Sequence, residues 1–246
     1  MRLKVLGSGS KGNCYFLENE NECLIIEAGV EFKEVLKALG FDLSKVVGCV
    51  ITHEHKDHSK YVKKFIENGI DIYTSKGTAE ILNINGHYVH FVSAGSVFNI
   101  GGYNIIPFEV KHDSVQPFGY YIRHSETGNI LFATDTYYIS NRFKNINNIM
   151  IECNYDKDIL RKNVINGKIP RKLENRIIQS HMEIETCIEC LKENDTRQVC
   201  NVVLIHLSEN NSSEEGFKNR VRNALPYANV YTAKAGLDIE FNKYKF

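Results

Sequence analysis

The sequence predicts a layered α/β or α+β fold, and three observations point to it. Short apolar or alternating runs recur along all 246 residues with turn residues between them. Helical patterns fall between those runs instead of in a separate block. A hydrophobic content of 43% can bury a substantial core without disulfide staples. No linker, low-complexity tract or repeat interrupts the chain, so residues 1–246 read as a single domain.

Taken in order, the chain opens with strand patterns at 2–7, 14–18 and 23–27. Between the first two, Gly7-Ser8-Gly9-Ser10-Lys11-Gly12 reads as a tight hairpin turn, because it lacks the G-x-x-x-x-G-K-[ST] order of a phosphate-binding loop. A helix near 31–40 leads to a strand at 48–52, a helix near 58–68 leads to a strand at 71–74, and a third helix lies near 76–82. Strands follow at 104–111, 119–124, 129–133 and 148–152. Helices near 171–178 and 183–194, a strand at 201–205, a helix near 213–223 and a strand at 237–241 complete the order. Segment 154–180 is the least regular and carries Lys157, Arg161, Lys162, Lys168, Arg171, Lys172 and Arg176. It reads as an inserted lid or substrate-facing arm, with an ordinary solvated face as the plainer alternative.

Charge and cysteine usage narrow the function class. A formal net charge of zero excludes the strongly basic character of a general nucleic-acid coat while leaving room for a local basic patch. Seven cysteines are odd in number and lack the spacing of a secreted scaffold, which predicts a reducing cytoplasm. The start turns to glycine and serine before an apolar segment develops, and no stretch is apolar for long enough to cross a bilayer, so neither a signal peptide nor a membrane partner is expected.

The most informative pattern lies at the ends of the apolar runs. The run to Thr52 ends at His53, the run to Lys111 at His112, the run to Thr134 at Asp135, the run to Ile151 at Glu152 and the run to Ile205 at His206. Five predicted strands thus end in a residue able to ligate metal or move a proton, and loops beyond strand ends commonly carry function. The densest stretch is His53-x-His55-x-Asp57-His58. Alternate residues leaving a strand point the same way, so His53 and His55 can grip one ion together, with His112 as a third ligand. The chain then turns into a helix and redirects Asp57 and His58 towards a second ion, completed by His206, while the Asp135 carboxylate bridges both. Nitrogen and carboxylate ligands without thiolate suit Zn²⁺, with Mn²⁺ or Fe also compatible.

These residues resemble the metallo-β-lactamase superfamily, whose hallmark is H-x-H-x-D-H followed by a distant His, Asp and His. The resemblance covers nearly the whole chain and implies a four-layer αββα sandwich with a dinuclear site at one edge between the sheets. Leu6-Gly7-Ser8-Gly9-Ser10-Lys11-Gly12-Asn13 and His206-Leu207-Ser208-x-Asn210-Asn211 are similar to the exonuclease-like YycJ/WalJ group. His112-Asp113-Ser114 before Phe118-Gly119-Tyr120 resembles both that group and tRNase Z. Glu152 and His181 resemble a glutamate–histidine pair that assists proton transfer to the leaving group in tRNase Z. The chain departs from tRNase Z in lacking an exosite arm, and from the YycJ-like group in reading Ser180-His181-Met182 where Gly-His-Leu is usual. Because the family sets the first hairpin turn beside the metals, Ser10 and Asn13 are candidate substrate contacts.

The implied chemistry is hydrolysis by a hydroxide generated at the ions. Two divalent cations against Asp57, Asp135 and a hydroxide leave a net charge of about +1, which suits an anionic phosphodiester. Asp57 would orient or deprotonate the nucleophile, and His181, steadied by Glu152, would protonate the leaving oxygen. The expected activity is that of a phosphodiesterase or nuclease, with DNA and RNA both open. The alternative is hydrolysis of a small molecule such as a thioester, a lactam or a small cyclic or nucleotide phosphodiester. His87, His90 and His124 follow no ligand pattern and read as surface or strand-edge residues. Cys187-x-x-Cys190 lies inside a helical pattern without a second pair, and reads as two cysteines on a helix.

Overall fold

The protein, seen as a computed structural model that describes residues 1–245, is built from strands and helices that alternate as the sequence predicts. The first part contains β1 (Arg2–Gly7), β2 (Cys14–Glu18), β3 (Cys23–Ile26), α1 (Phe32–Ala38), β4 (Val46–Val50), α2 (Lys56–Ser59), α3 (Val62–Glu67), β5 (Ile72–Thr74), α4 (Lys76–Leu82) and β6 (Val89–Phe91). Then come β7 (Phe98–Ile100), β8 (Tyr103–Glu109), β9 (Phe118–His124), β10 (Gly128–Ala133), β11 (Ile146–Glu152), α5 (Lys157–Ile165), α6 (Arg171–Ser180) and α7 (Ile184–Glu193). The chain closes with β12 (Asn201–Ile205), α8 (Glu214–Ala224), β13 (Asn229–Thr232) and β14 (Asp238–Glu240). One sheet has the order β14-β1-β2-β3-β4-β5-β6 and the other β13-β12-β11-β10-β9-β8-β7.

Period-two alternation in the strands produces the layers. In β2, Tyr15 and Leu17 point between the sheets, while Cys14 and Phe16 point to the outer face with Val35 and Phe65 of α1 and α3. In β12, Val203 and Ile205 join the same inter-sheet core, while Val202 and Leu204 pack outward against Ile188 of α7 and Phe217 of α8. Tyr15 and Phe132 meet edge-on across the inter-sheet core with centroids 5.8 Å apart, a geometry worth about 0.5–1.5 kcal/mol beyond area burial. Three apolar cores, one between the sheets and one on each outer face, hold the αββα stack together.

Strand direction decides where function collects. Strands β3, β4, β5 and β6 are parallel, as are β10, β11, β12 and β13. Strand β8 is antiparallel to β9, which is antiparallel to β10, so β8 also runs with the second parallel set. The carboxyl ends of these strands therefore share one edge of their sheet, where sites in open α/β sheets usually form.

Four elements escaped the sequence pattern: β6, β7, β13 and α5. The first three are short edge or near-edge strands, too brief for alternation to register. The helix expected over 58–68 is two helices, because the backbone of Ala28 wedges into it. Ala28 N donates to the His58 carbonyl at 2.7 Å, and Tyr61 N donates to the Ala28 carbonyl at 3.0 Å. Segment 154–180 is a pair of helices, α5 and α6, resting on a small core of Tyr155, Leu160 and Ile169.

Candidate metal centre

The run after β4 enters the site with its side chains fixed from behind. Thr52 Oγ1 donates to Glu27 Oε1 at 2.6 Å, so its oxygen is free to accept from His53 Nδ1 at 2.8 Å. That assigns the His53 proton to Nδ1 and leaves Nε2 bare, buried and without a hydrogen-bond partner. His112 is oriented in the same way. Its Nδ1 lies 2.8 Å from the Ser180 carbonyl, which can only accept, so its Nε2 lone pair faces His55 Nδ1 at 3.0 Å. Ligand atoms around a tetrahedral ion with bonds of about 2.1 Å stand about 3.4 Å apart. His53, His55, His112 and Asp135 each offer one atom within 4.8 Å of the others.

A second group adjoins the first. Asp57, His58, Asp135 and His206 also bring one atom each within 4.8 Å of one another. His206 Nε2 is 3.1 Å from Asp57 Oδ2, and His58 Nε2 is 3.2 Å from Asp135 Oδ1. Asp135 divides its carboxylate between the two groups. Its Oδ1 faces His58 and His206, the latter at 3.5 Å, and its Oδ2 faces His112 at 3.5 Å and His53 at 3.8 Å. The orphaned His53 nitrogen, the two convergent N/O donor sets and the shared carboxylate all fit a pair of divalent ions.

The electrostatics separate the two groups. Burial pushes the His53 and His112 imidazoles below their ordinary values, so they are neutral and ready to ligate. Burial acts in the same direction on His206, but Asp135, Asp57 and Glu152 outweigh it and raise that group to about 10. Burial would raise Asp135, yet His206 and His58 hold its carboxyl well below the usual range. Without a cation, protonated imidazole neutralises the second group, so cation binding there releases protons.

Glu27 is a site residue that the sequence pattern could have revealed. It comes directly after the apolar strand β3, is fully buried, and faces His58 Nδ1 at 3.4 Å while accepting from Thr52. Reading β3 as extending through 27 hid a sixth instance of the strand-end pattern. Glu27, Asp135 and His206 all have positive φ, at 70°, 45° and 54°. Non-glycine residues adopt that conformation uncommonly, at a cost of about 1–3 kcal/mol each. All three are buried.

Two expected substrate contacts part ways. Ser10 is exposed and lines the cavity beside Asp57 and His206. Asn13 is fully buried: its Oδ1 accepts from Gly9 N at 2.8 Å, and its Nδ2 donates to the Asp57 carbonyl at 3.2 Å. Asn13 therefore ties the first hairpin turn to the metal-site turn, and its Nδ2 also lies 3.1 Å from His58 Nε2. Gly29 packs against the same turn so closely that a methyl group would collide with the Asp57 carbonyl.

Glu152 and His181 meet as the resemblance implies. His181 Nδ1 is 2.6 Å from Glu152 Oε1, and Glu152 Oε2 accepts from Thr136 N at 2.7 Å and Met182 N at 3.1 Å. Glu152 also contributes to a third cluster with Asp135, His181 and His206, but its oxygens are already engaged in these bonds. Burial lowers the His181 pKa, and the Glu152 carboxylate more than compensates, so the imidazole is held above its ordinary value. His181 lines a cavity of about 300 Å³ together with Asp57, His112, Arg176 and Ile177. Helix α6 supplies Leu173, Arg176 and Ile177 to that wall.

Residues set aside from the site lie away from it. His90 pairs with Asp71 at 2.6 Å, and His124 pairs with Glu22 at 2.9 Å. Cys187 and Cys190 are buried free thiols of α7 in the outer core. Among the described residues, no helix is long and apolar enough to cross a membrane.

Comparison with known proteins agrees with this architecture. Exodeoxyribonuclease WalJ of Streptococcus pneumoniae is 28% identical over 261 residues, covering 99% of this chain and 93% of that protein. Exodeoxyribonuclease YycJ of Bacillus anthracis is 27% identical over 230 residues, covering 87% of this chain and 85% of that protein. The crystal structure of the metallo-beta-lactamase fold protein YhfI from Bacillus subtilis matches with a TM-score of 0.75 at 16% identity, over 97% of this chain and 99% of that one. A family model described as a beta-lactamase superfamily domain matches residues 24–207, a span that holds every strand-end residue of the site, and the chain belongs to that superfamily.

Proposed function

We propose that this chain is a dinuclear-metal-dependent phosphodiesterase that degrades DNA, the polymer named for its WalJ and YycJ relatives. The observation that carries the proposal is the Asp135 carboxylate turned towards two donor groups, flanked by the Glu152–His181 pair. His53, His55 and His112 would hold one ion, Asp57, His58 and His206 the other, and Asp135 both. Zn²⁺ is the first candidate for this donor set, with Mn²⁺ and Fe next. When bound, the ions supply Lewis acidity towards phosphate oxygens and a nucleophile available at neutral pH.

The remaining work falls to side chains. Asp57, partly exposed in the cavity lining, would orient the attacking water or accept its proton. His181 donates its Nδ1 proton to Glu152, and the imidazolium that this carboxylate favours carries a second proton on Nε2, which it delivers to the leaving oxygen from the cavity wall. Arg176, Lys56 and Ser10 line the same cavity and offer donors to non-bridging phosphate oxygens. Seven free, buried cysteines support a reducing, cytoplasmic setting, and the whole chain reads as one domain.

A substrate panel with metal analysis tests the proposal: bis-p-nitrophenyl phosphate, single- and double-stranded DNA, RNA, a glutathione thioester and nitrocefin. Hydrolysis of the phosphodiesters, with nucleotides released from DNA ends, is the expected result. Turnover confined to the thioester or nitrocefin overturns it.

A further inference from the structure

A second cavity of about 490 Å³ opens beside the first and shares His112 and Arg176 with it. It runs between α6 and the turns at the ends of β8 and β10. Its lining carries three cationic side chains, Lys111, Lys172 and Arg176, against one carboxylate, Asp113. Arg176 Nε donates to Asp113 at 3.0 Å, which fixes the guanidinium at the junction of the two cavities. The same lining includes Tyr137, which is 44% exposed although its backbone N is anchored to the Lys111 carbonyl at 3.1 Å. An exposed aromatic side chain anchored through its backbone, in one groove with clustered cations and next to the proposed reaction centre, is a platform for a base and its phosphate.

We infer that this groove seats an unpaired nucleic-acid strand next to the scissile phosphodiester, with a base laid on Tyr137 and its backbone phosphate between Lys172 and Arg176. The inference rests on the phosphodiesterase reading and specifies the form of its substrate. A base inside a duplex has no free face to offer Tyr137, so the groove selects single strands or frayed ends. Arg176 lines both cavities, between Lys56 in the first and Lys111 and Lys172 in the second, so one backbone can pass through both.

The test measures fluorescence anisotropy with the full metal-loaded chain and a labelled single-stranded oligodeoxynucleotide whose phosphorothioate linkages resist hydrolysis. Tyr137→Ala is expected to weaken binding about tenfold while Tyr137→Phe keeps it, in line with a stacking contact. Lys172→Glu is expected to weaken binding and to flatten its salt dependence by about one unit of log–log slope. Wild-type metal content and Tm in each variant establish that it is folded. Single strand should bind more tightly than a blunt duplex of the same length or than polyglutamate of matched charge. Wild-type affinity in both Tyr137→Ala and Lys172→Glu, or equal affinity for duplex or polyglutamate, overturns the groove assignment. DNA cleavage by the wild-type chain in that case leaves the phosphodiesterase reading intact. A wild-type chain that neither binds nor cleaves DNA overturns both.

Discussion

The first sheet delivers His53, His55, Asp57 and His58 from one unbroken run after β4, whereas the second delivers His112, Asp135, Glu152 and His206 singly from the ends of four strands. The run depends on local geometry: a strand end, then the first turn of α2, which swings Asp57 and His58 away from His53 and His55. The scattered set depends on register. Glu152 lies beside Ile205, and Ala133 beside Ile151, so that Asp135, Glu152 and His206 leave adjacent strands at one level. A slip of one residue would turn each of those side chains to the opposite face. The contiguous run thus supplies donors at short range, and the scattered set converts them into two adjoining sites through Asp135.

Breaking the link between the two halves should have the largest effect. Asp135→Ala is expected to remove metal from both groups and reduce phosphodiester turnover to background, checked by elemental analysis beside kinetics. Retention of two ions would show that the halves load independently. Next comes His181→Ala, which should keep both ions and lose about 10²- to 10⁴-fold in rate. Its pH profile sharpens the distinction between holding metal and moving protons. Glu152 holds the His181 pKa above its ordinary value, so the protonated acid is present below that raised pKa and is lost as pH rises through it. Wild-type turnover should therefore fall on the alkaline side, and the alanine variant should lack that limb. A metal-depleted His181→Ala protein would make His181 a ligand instead.

A smaller effect is expected where the first sheet supports its own donors. Glu27→Gln should weaken metal affinity about 10- to 100-fold, measured by competition with a chelator, since Glu27 orients His53 through Thr52 and faces His58. Unchanged affinity would mean the run is self-sufficient. The smallest effect belongs outside both halves. Cys187→Ala should leave metal content and rate unchanged and cost about 1 kcal/mol of stability in thermal or denaturant unfolding, because the thiol only packs in the outer core.

The contrast between the halves also governs how legible each was in the sequence. Apolar runs ending in His53, His112, Asp135, Glu152 and His206 stood out because a buried strand and the polar residue that ends it are neighbours in the chain. Glu27 carries the same signal after β3 and was hidden by drawing the strand one residue too long. The division of 58–68 into α2 and α3 had no local signal at all, since the wedge is the backbone of Ala28, thirty residues upstream. Asn13 looked like a substrate contact because its turn lies beside the metals. Only the packed structure reveals that its amide also reaches Gly9, the Asp57 carbonyl and His58 Nε2.

By itself the sequence determined the layered α/β character, the strand ends that carry function and the donor chemistry of the site. Those properties arise from covalent neighbours, through the two-residue period of strands and the chemistry of imidazole and carboxylate. Only tertiary structure decided that Asp135 turns one oxygen to each donor group, that Glu152 also accepts from Thr136 and Met182, and that Tyr137 and Lys172 line one groove. Those relations join residues far apart in the chain, and their distances are fixed by strand register and core packing, which no local run of residues encodes.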